Sequence, residues 1–258
     1  MKNILARANS EVIRQFAWSK VLLAFDYDGT LAPIVSKPAR ATMQPATRSL
    51  LQELAELYPC IVISGRAQRD AIRRVRGVGV HEIVGNHGME PGHATSKIAD
   101  TVARWRPLLD ERLAGLRGVE IEDKVFSVAI HYRQSRQKKL ARSAILRAAS
   151  TLCDVRLIGG KQVLNILPNG APHKGVALER ERTRLKCDTA IYVGDDETDE
   201  DVFTLDQPGQ LLTIRVGWRR SSAAAYFIES QREIDELLRV LLKCRREAGV
   251  EQRPRGRK

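Results

Sequence analysis

Residues 21–25 read Val-Leu-Leu-Ala-Phe, an apolar run that stops abruptly at an acidic pair, Asp26 and Asp28. A short run without polar alternation suits a strand covered on both faces, as in a parallel sheet. Similar runs return at 60–63, 83–84, 190–193 and 211–216. Between them lie stretches with helical spacing. Residues 45–57 carry Leu50, Leu51, Leu54 and Leu57 on one face and stop before Pro59. Residues 67–76, 175–185, 200–205 and 233–242 are further helix candidates. This alternation predicts an α/β fold with a Rossmann-like parallel-sheet core and right-handed crossovers.

The rhythm changes in the middle of the chain. Residues 94–116 predict a long helix bent near Pro107, followed by a hairpin of 119–122 and 125–132 around Asp123-Lys124. A basic helix over 135–152 follows, with Leu140, Ala144, Ile145 and Ala148 on its apolar face. A second hairpin of 155–158 and 162–167 turns at Gly159-Gly160. A helix and two strands, occurring twice, predict a small antiparallel sheet with two helices, a unit of about eighty residues. The expected organisation is a discontinuous core of residues 1–90 and 170–245, an inserted α/β cap at 91–169, and a flexible basic tail at 246–258.

Composition narrows the classes. The chain has 258 residues, 43% hydrophobic and 29% charged, which excludes a collagen-like or wholly disordered polymer. No apolar run approaches the ~20 residues of a membrane-spanning helix. Lys2, Arg7, Glu11, Arg14 and Lys20 interrupt any signal-peptide core. Cys60, Cys153, Cys187 and Cys244 are far apart, so reduced thiols and a cytoplasmic location are expected and a zinc site is not. Lys+Arg 43 against Asp+Glu 31 gives a net charge of +12. Much of the excess lies at 133–147 and 243–258, where it reads as solvated faces; no nucleic-acid recognition module is present, and no specific nucleic-acid partner is expected. Gly77-Val78-Gly79 lacks the third Gly of a dinucleotide loop. Oligomeric state stays open, with a monomer favoured.

Ligand sites in open α/β sheets gather at the carboxyl ends of the strands. Four polar clusters fall there: 26–30, Ser64-Gly65-Arg66, His173-Lys174-Gly175, and 194–199. Carboxylates delivered side by side repel each other, and a divalent cation between them relieves the repulsion; oxygen ligands suit Mg²⁺. On an extended segment Asp26 and Asp28 point to the same side, so one can attack while the other handles a proton. Gly29 permits a sharp turn, and Thr30 offers a hydroxyl. Each cluster alone has a structural reading: a loop or calcium turn, a helix cap, or an acidic helix N-terminus. Their joint occurrence, in this order, favours chemistry.

The order Asp-x-Asp-Gly-Thr-Leu, Ser-Gly-Arg, Lys-Gly and Gly-Asp-Asp-x-x-Asp resembles the haloacid dehalogenase superfamily of phosphotransfer enzymes. More narrowly, residues 26–34, Gly85-Asn86-His87-Gly88, His131-Tyr132-Arg133 and 194–201 resemble the trehalose-6-phosphate phosphatases, over about residues 21–242. The resemblance implies Asp26 as nucleophile and Asp28 as general acid and base. It assigns Mg²⁺ to the Asp26 side chain, the Asp28 backbone carbonyl and Asp195, with Asp199 acting on it directly or through water. Ser64 and Lys174 would hold phosphoryl oxygens. Arg66, Asn86, His87, Lys124, His131, Arg133 and Asn165 would contact the substrate, a small sugar phosphate. Asp28 favours hydrolysis over the long-lived intermediate of ion pumps, and does not exclude a mutase. The sequence departs from the family pattern at Asn165, where a Glu is usual, and near Leu167, where a basic residue is absent. The alternatives are the same chemistry on another sugar or glycosyl phosphate and, from a different class, a non-catalytic basic binding module.

Overall fold

The apolar runs of the sequence become the strands of a parallel sheet. The computed structural model describes residues 1–35, 38–92, 95–205 and 207–251. In chain order, β1 (Lys2–Asn3), α1 (Ser10–Trp18), β2 (Val21–Phe25), α2 (Pro45–Leu57), β3 (Cys60–Ile63), α3 (Gln68–Val75) and β4 (Glu82–Val84) come first. The middle of the chain forms α4 (Ser96–Leu113), β5 (Glu120–Asp123), β6 (Val128–His131), α5 (Lys138–Ala149), β7 (Val155–Gly160) and β8 (Val163–Pro168). It closes with α6 (Lys174–Arg184), β9 (Thr189–Gly194), α7 (Glu200–Phe203), β10 (Leu211–Val216), β11 (Tyr226–Ile228) and α8 (Ile234–Glu251).

The first sheet has the order β1-β11-β10-β9-β2-β3-β4, and its pairs are parallel. The chain leaves β2 toward β3 and β4 on one side, and later builds outward from β9 on the other. The strand order therefore reverses between β2 and β9, which opens a crevice at their carboxyl ends. Side-chain alternation divides the core into two layers. Val21, Leu23 and Phe25, with Ile191 and Val193, face α1, α2 and α8. Leu22, Ala24, Ala190 and Tyr192 face α6 and α7.

The second sheet is antiparallel, in the order β5-β6-β8-β7. On one face Val128, Ile130, Leu164 and Ile166 pack against Trp105 and Leu109 of α4 and Ile145 of α5. Glu122, Ala129, Asn165 and Ile158 lie opposite one another in register, on the other face. Ile158 and Leu167 pack with Met89, which joins this sheet to the loop after β4.

Four details differ from expectation. Leu140 is 54% exposed, and the buried stripe of α5 is Ala141, Ile145, Ala148 and Ala149, because the helix begins at Lys138. Gly159 and Gly160 end β7, and the turn falls at Lys161 and Gln162, where Gln162 takes φ 66. A Cβ at Gly159 would overlap the Glu197 carboxylate, and one at Gly160 would come 2.8 Å from Asp196 Oδ2, so these glycines serve close approach. Helix α8 runs past Leu242 to Glu251, because Cys244 and Ala248, four apart, extend its buried face. Residues 252–258 of the expected tail lie outside the described residues. Finally, β1, α1 and β11 were not expected. Strands this short carry no periodic signal, whereas α1 shows one in Ile13 and Ala17, buried four apart. Among the described residues no helix is long and apolar enough to cross a membrane.

Leu54 is fully buried between α2 and the sheet. Leu54→Ala is expected to cost about 3 kcal/mol, seen in urea unfolding as a lower midpoint at unchanged slope.

Candidate active site

Phe25 of β2 pairs with Val193 of β9, and each strand delivers acids just as its ladder ends. Asp26 follows β2; Asp195 and Asp199 follow β9. One carboxylate oxygen from each lies within 4.8 Å of the others, and all three residues are buried. Gly29 lets the loop after Asp26 fold back on this cluster. It takes φ 92, and a Cβ there would overlap the Asp195 carboxylate.

Lys174, the first residue of α6, reaches between the acids. Its Nζ donates to Asp26 Oδ1 and Asp199 Oδ1, each at 2.7 Å. Tyr192 Oη also donates to Asp199 Oδ1, at 2.6 Å. The backbone N–H groups of Asp195 and Asp196 donate to Asp199 Oδ2 at 2.8 Å. Lys161, in the β7–β8 turn, donates to Asp195 Oδ2 at 2.6 Å, while Asp195 Oδ1 is buried without a partner among the described residues. Arg215 of β10 grips the same loop: Nη2 donates to the Asp195 carbonyl at 2.6 Å, and Nη1 to Glu200 at 2.9 Å.

The electrostatics follow from crowding. Burial raises the Asp26 carboxyl well above its ordinary range; Lys174 opposes this, and Asp199 and Asp195 add to it. Burial likewise pushes Asp195 up to about 7, against the pull of Lys161. Burial would raise Asp199 too, but Lys174, Tyr192 and the Asp196 amide together hold it below its ordinary value. Lys174 is lowered by burial and raised more strongly by its two acids, so it stays protonated. With all three carboxyls ionised, the cluster would carry an excess of negative charge over Lys174 and Lys161. The excess, the orphaned Asp195 Oδ1 and the all-oxygen donor set fit a divalent cation.

Asp28 is apart from this cluster. Its carboxylate accepts both fork bonds of Arg66: Nε to Oδ2 and Nη2 to Oδ1, each at 2.6 Å. Tyr27 packs into the core with Phe25, and the Arg66 guanidinium lies 5.7 Å over its ring. Ser64 ends the β3 segment, buried, with Oγ accepting from Arg66 N at 3.2 Å.

The second sheet closes over this edge. Lys124, in the β5–β6 turn, is buried and donates to the Gly65 carbonyl at 2.9 Å; burial lowers its pKa, and Glu122 and Asp28 partly offset this. His87 is buried against Gly65, where a Cβ would meet its ring. Asn165 of β8 approaches the His87 ring closely enough to favour its protonated form, though outside hydrogen-bonding geometry. Asn86, expected to face the sugar, spends its amide on the protein. It donates to Glu90 at 2.7 Å and the Lys124 carbonyl at 3.1 Å, and accepts from Ser127 at 2.9 Å. His131 pairs with Glu122 at 2.8 Å. Arg133 donates to the carbonyls of Val35 and Lys161, tying the second sheet to the loop after the Asp-x-Asp segment.

The structure thus gathers Asp26, Lys174, Asp195 and Asp199 in one cluster, with Asp28, Ser64, Arg66, His87, Lys124 and Asn165 around it. Sequence reasoning missed Lys161, Tyr192, Arg215 and Glu122. Arg215 gave a signal, being the one charge in an otherwise apolar run.

Burial holds the His87 imidazole well below its usual range, with Lys124 and Lys174 adding to the effect. A His kept neutral when folded binds fewer protons than the unfolded chain below about pH 6.5, so its contribution to stability is lost as pH falls through that value. His87→Gln should therefore narrow the stability loss between about pH 7.5 and 5.5 by about 1 kcal/mol, measured by chemical denaturation of the metal-free protein.

Comparison with known proteins agrees with this geometry. The model of the trehalose-phosphatase family matches residues 24–230. The probable trehalose-phosphate phosphatase D of Arabidopsis thaliana is 30% identical over 90% of this chain and 70% of its own length. The trehalose-phosphate phosphatase of Mycobacterium ulcerans is 33% identical over 82% of this chain and 59% of its own. The C-terminal domain of the C. albicans trehalose-6-phosphate phosphatase superposes with a TM-score of 0.78, at 22% identity, over 91% of this chain and 97% of that one. The sucrose-phosphatase of Synechocystis sp. superposes at 0.56, with 18% identity, over 86% of this chain and 98% of that one. The fold is thus of the expected haloacid dehalogenase type. With its acids gathered at the sheet's switch point and a family match spanning residues 24–230, the chain belongs to the trehalose-phosphatase family.

Proposed function

We propose that this chain is a Mg²⁺-dependent phosphatase that hydrolyses trehalose 6-phosphate to trehalose and phosphate. The observation that carries the reading is the buried Asp26, held by Lys174 beside Asp195 and Asp199. Asp26 attacks phosphorus in line as the ester P–O bond breaks. Asp28 gives a proton to the departing sugar oxygen, then takes one from the water that hydrolyses the aspartyl-phosphate. Lys174 and Ser64 hold the phosphoryl oxygens. Asp26 and Asp195, with the Asp28 carbonyl and with Asp199 through water, would hold Mg²⁺, which would neutralise charge on the transferring phosphoryl group.

Residues 91–169 act as a cap over the core formed by 1–90 and 170–245. The reach of Lys124 to Gly65 and of Lys161 to Asp195 supports this division. In a closed site water is excluded and electrostatic interactions strengthen. His87, Lys124, His131 and Asn165 are the groups assigned to the sugar. Arg133 acts by bridging cap and core. The free thiols of Cys60, Cys153, Cys187 and Cys244 fit a cytoplasmic location.

A second reading, the same chemistry on another sugar phosphate, is favoured by Asn165, a neutral amide beside His87. A panel of sugar phosphates decides between them: the first reading expects trehalose 6-phosphate to have the highest kcat/KM. Asp26→Asn should lower phosphate release more than about a thousandfold. Chelation should abolish turnover of the wild-type protein, and added Mg²⁺ should restore it.

A further inference from the structure

Arg66 occupies the place in the crevice where a substrate contact was expected, and three of its bonds go to acids. The Asp28 fork takes Nε and Nη2, and Nη1 donates to Asp70 Oδ2 at 2.7 Å. Asp70 is braced in turn by Arg74 Nε at 3.0 Å, and Arg74 is anchored on the Ala41 carbonyl. The Arg66 side chain is 12% exposed, whereas that of Asp28 is 36% exposed. The guanidinium is therefore the fixed half of the pair, and the carboxylate is the half that meets the crevice. A planar fork on both oxygens sets the orientation of a carboxylate in a way a point charge does not.

We propose that Arg66 is the positioning residue of acid–base catalysis, acting through Asp28 and not through the sugar; this rests on the reading of Asp28 as the general acid and base. In the first half-reaction Asp26 bonds to phosphorus, the ester P–O bond breaks, and the leaving oxygen takes the proton of Asp28. In the second, water bonds to phosphorus and the P–O bond to Asp26 breaks. The water's proton goes to the Asp28 carboxylate, and Asp26 is regenerated with release of inorganic phosphate. A carboxylate without its fork is misplaced for both transfers, and a displacement of about 1 Å costs on the order of a hundredfold.

The two halves separate with p-nitrophenyl phosphate, whose leaving group departs without a proton. For Arg66→Ala in the Mg²⁺-loaded enzyme, the expectation is a burst of about one nitrophenolate per active site. Steady-state turnover then falls about a hundredfold below wild type, and trehalose 6-phosphate turnover falls at least as far. Arg66→Lys, which keeps the charge and loses the fork, should fall between the two. The burst amplitude counts folded, competent sites. A variant with no burst, or with unchanged turnover per competent site, overturns the proposal. Asp26→Asn is the control: a burst from that variant would instead overturn the assignment of the nucleophile.

Discussion

Lys174 is the pivot of the structure. Two buried carboxylates, Asp26 and Asp199, share its ammonium group at 2.7 Å each, and it is the cation that both accept from in a desolvated place. The position follows from topology. Strand order reverses between β2 and β9, so their carboxyl ends open a crevice, and α6 enters that crevice with Lys174 as its first residue. His173 caps the helix, its Nδ1 accepting from Gly175 N at 3.2 Å. One residue of phase error at the start of α6 would turn the ammonium group out of the cluster.

Charge organisation extends outward from this pivot in two directions. On the β9 side, Asp199 saturates its oxygens with Lys174, Tyr192 and two backbone amides, so it behaves as a fixed anion. Asp195 keeps one oxygen without a partner. On the β3 side, the chain Asp28–Arg66–Asp70–Arg74 alternates in sign along α3 and its approach. Neighbouring acids thus receive different environments: one is desolvated beside an ammonium group, another is gripped in a planar fork, and a third is left partly unpaired. Differentiating acids by environment is how a few carboxyl groups come to perform distinct tasks.

The legible and illegible parts of the sequence divide on physical grounds. β2 and β3 were readable because both faces are buried, which leaves an uninterrupted apolar run, and β10 because its run is broken only at Thr213 and Arg215. α2 was readable because its leucines repeat at helical spacing and Pro45 opens it. Taken alone, each acidic cluster suited a loop or a helix cap equally well; Asp26, Asp195 and Asp199 were readable because their clusters follow buried strands in an order that resembles a known superfamily. Lys161, Tyr192 and Glu122 were not, because each matters only through a partner distant in space, and nothing nearby in sequence marks it. Leu140 misled because Ala141, the smaller neighbour, takes the inward position. Asn86 misled because its motif fixes its location but not its partners; the loop at φ 47 turns its amide toward Glu90 and Ser127. The glycine pair at 159–160 misled because Gly signals both a turn and a close approach, and only the neighbouring Glu197 and Asp196 decide which.

That pair sets how closely two surfaces can run. β7 passes the acidic loop closely at both glycines, and a Cβ at either would require the carboxylate of Glu197 or Asp196 to shift. Side-chain reach across that gap falls instead to the flanking turns, where Lys124 donates to the Gly65 carbonyl and Lys161 to Asp195.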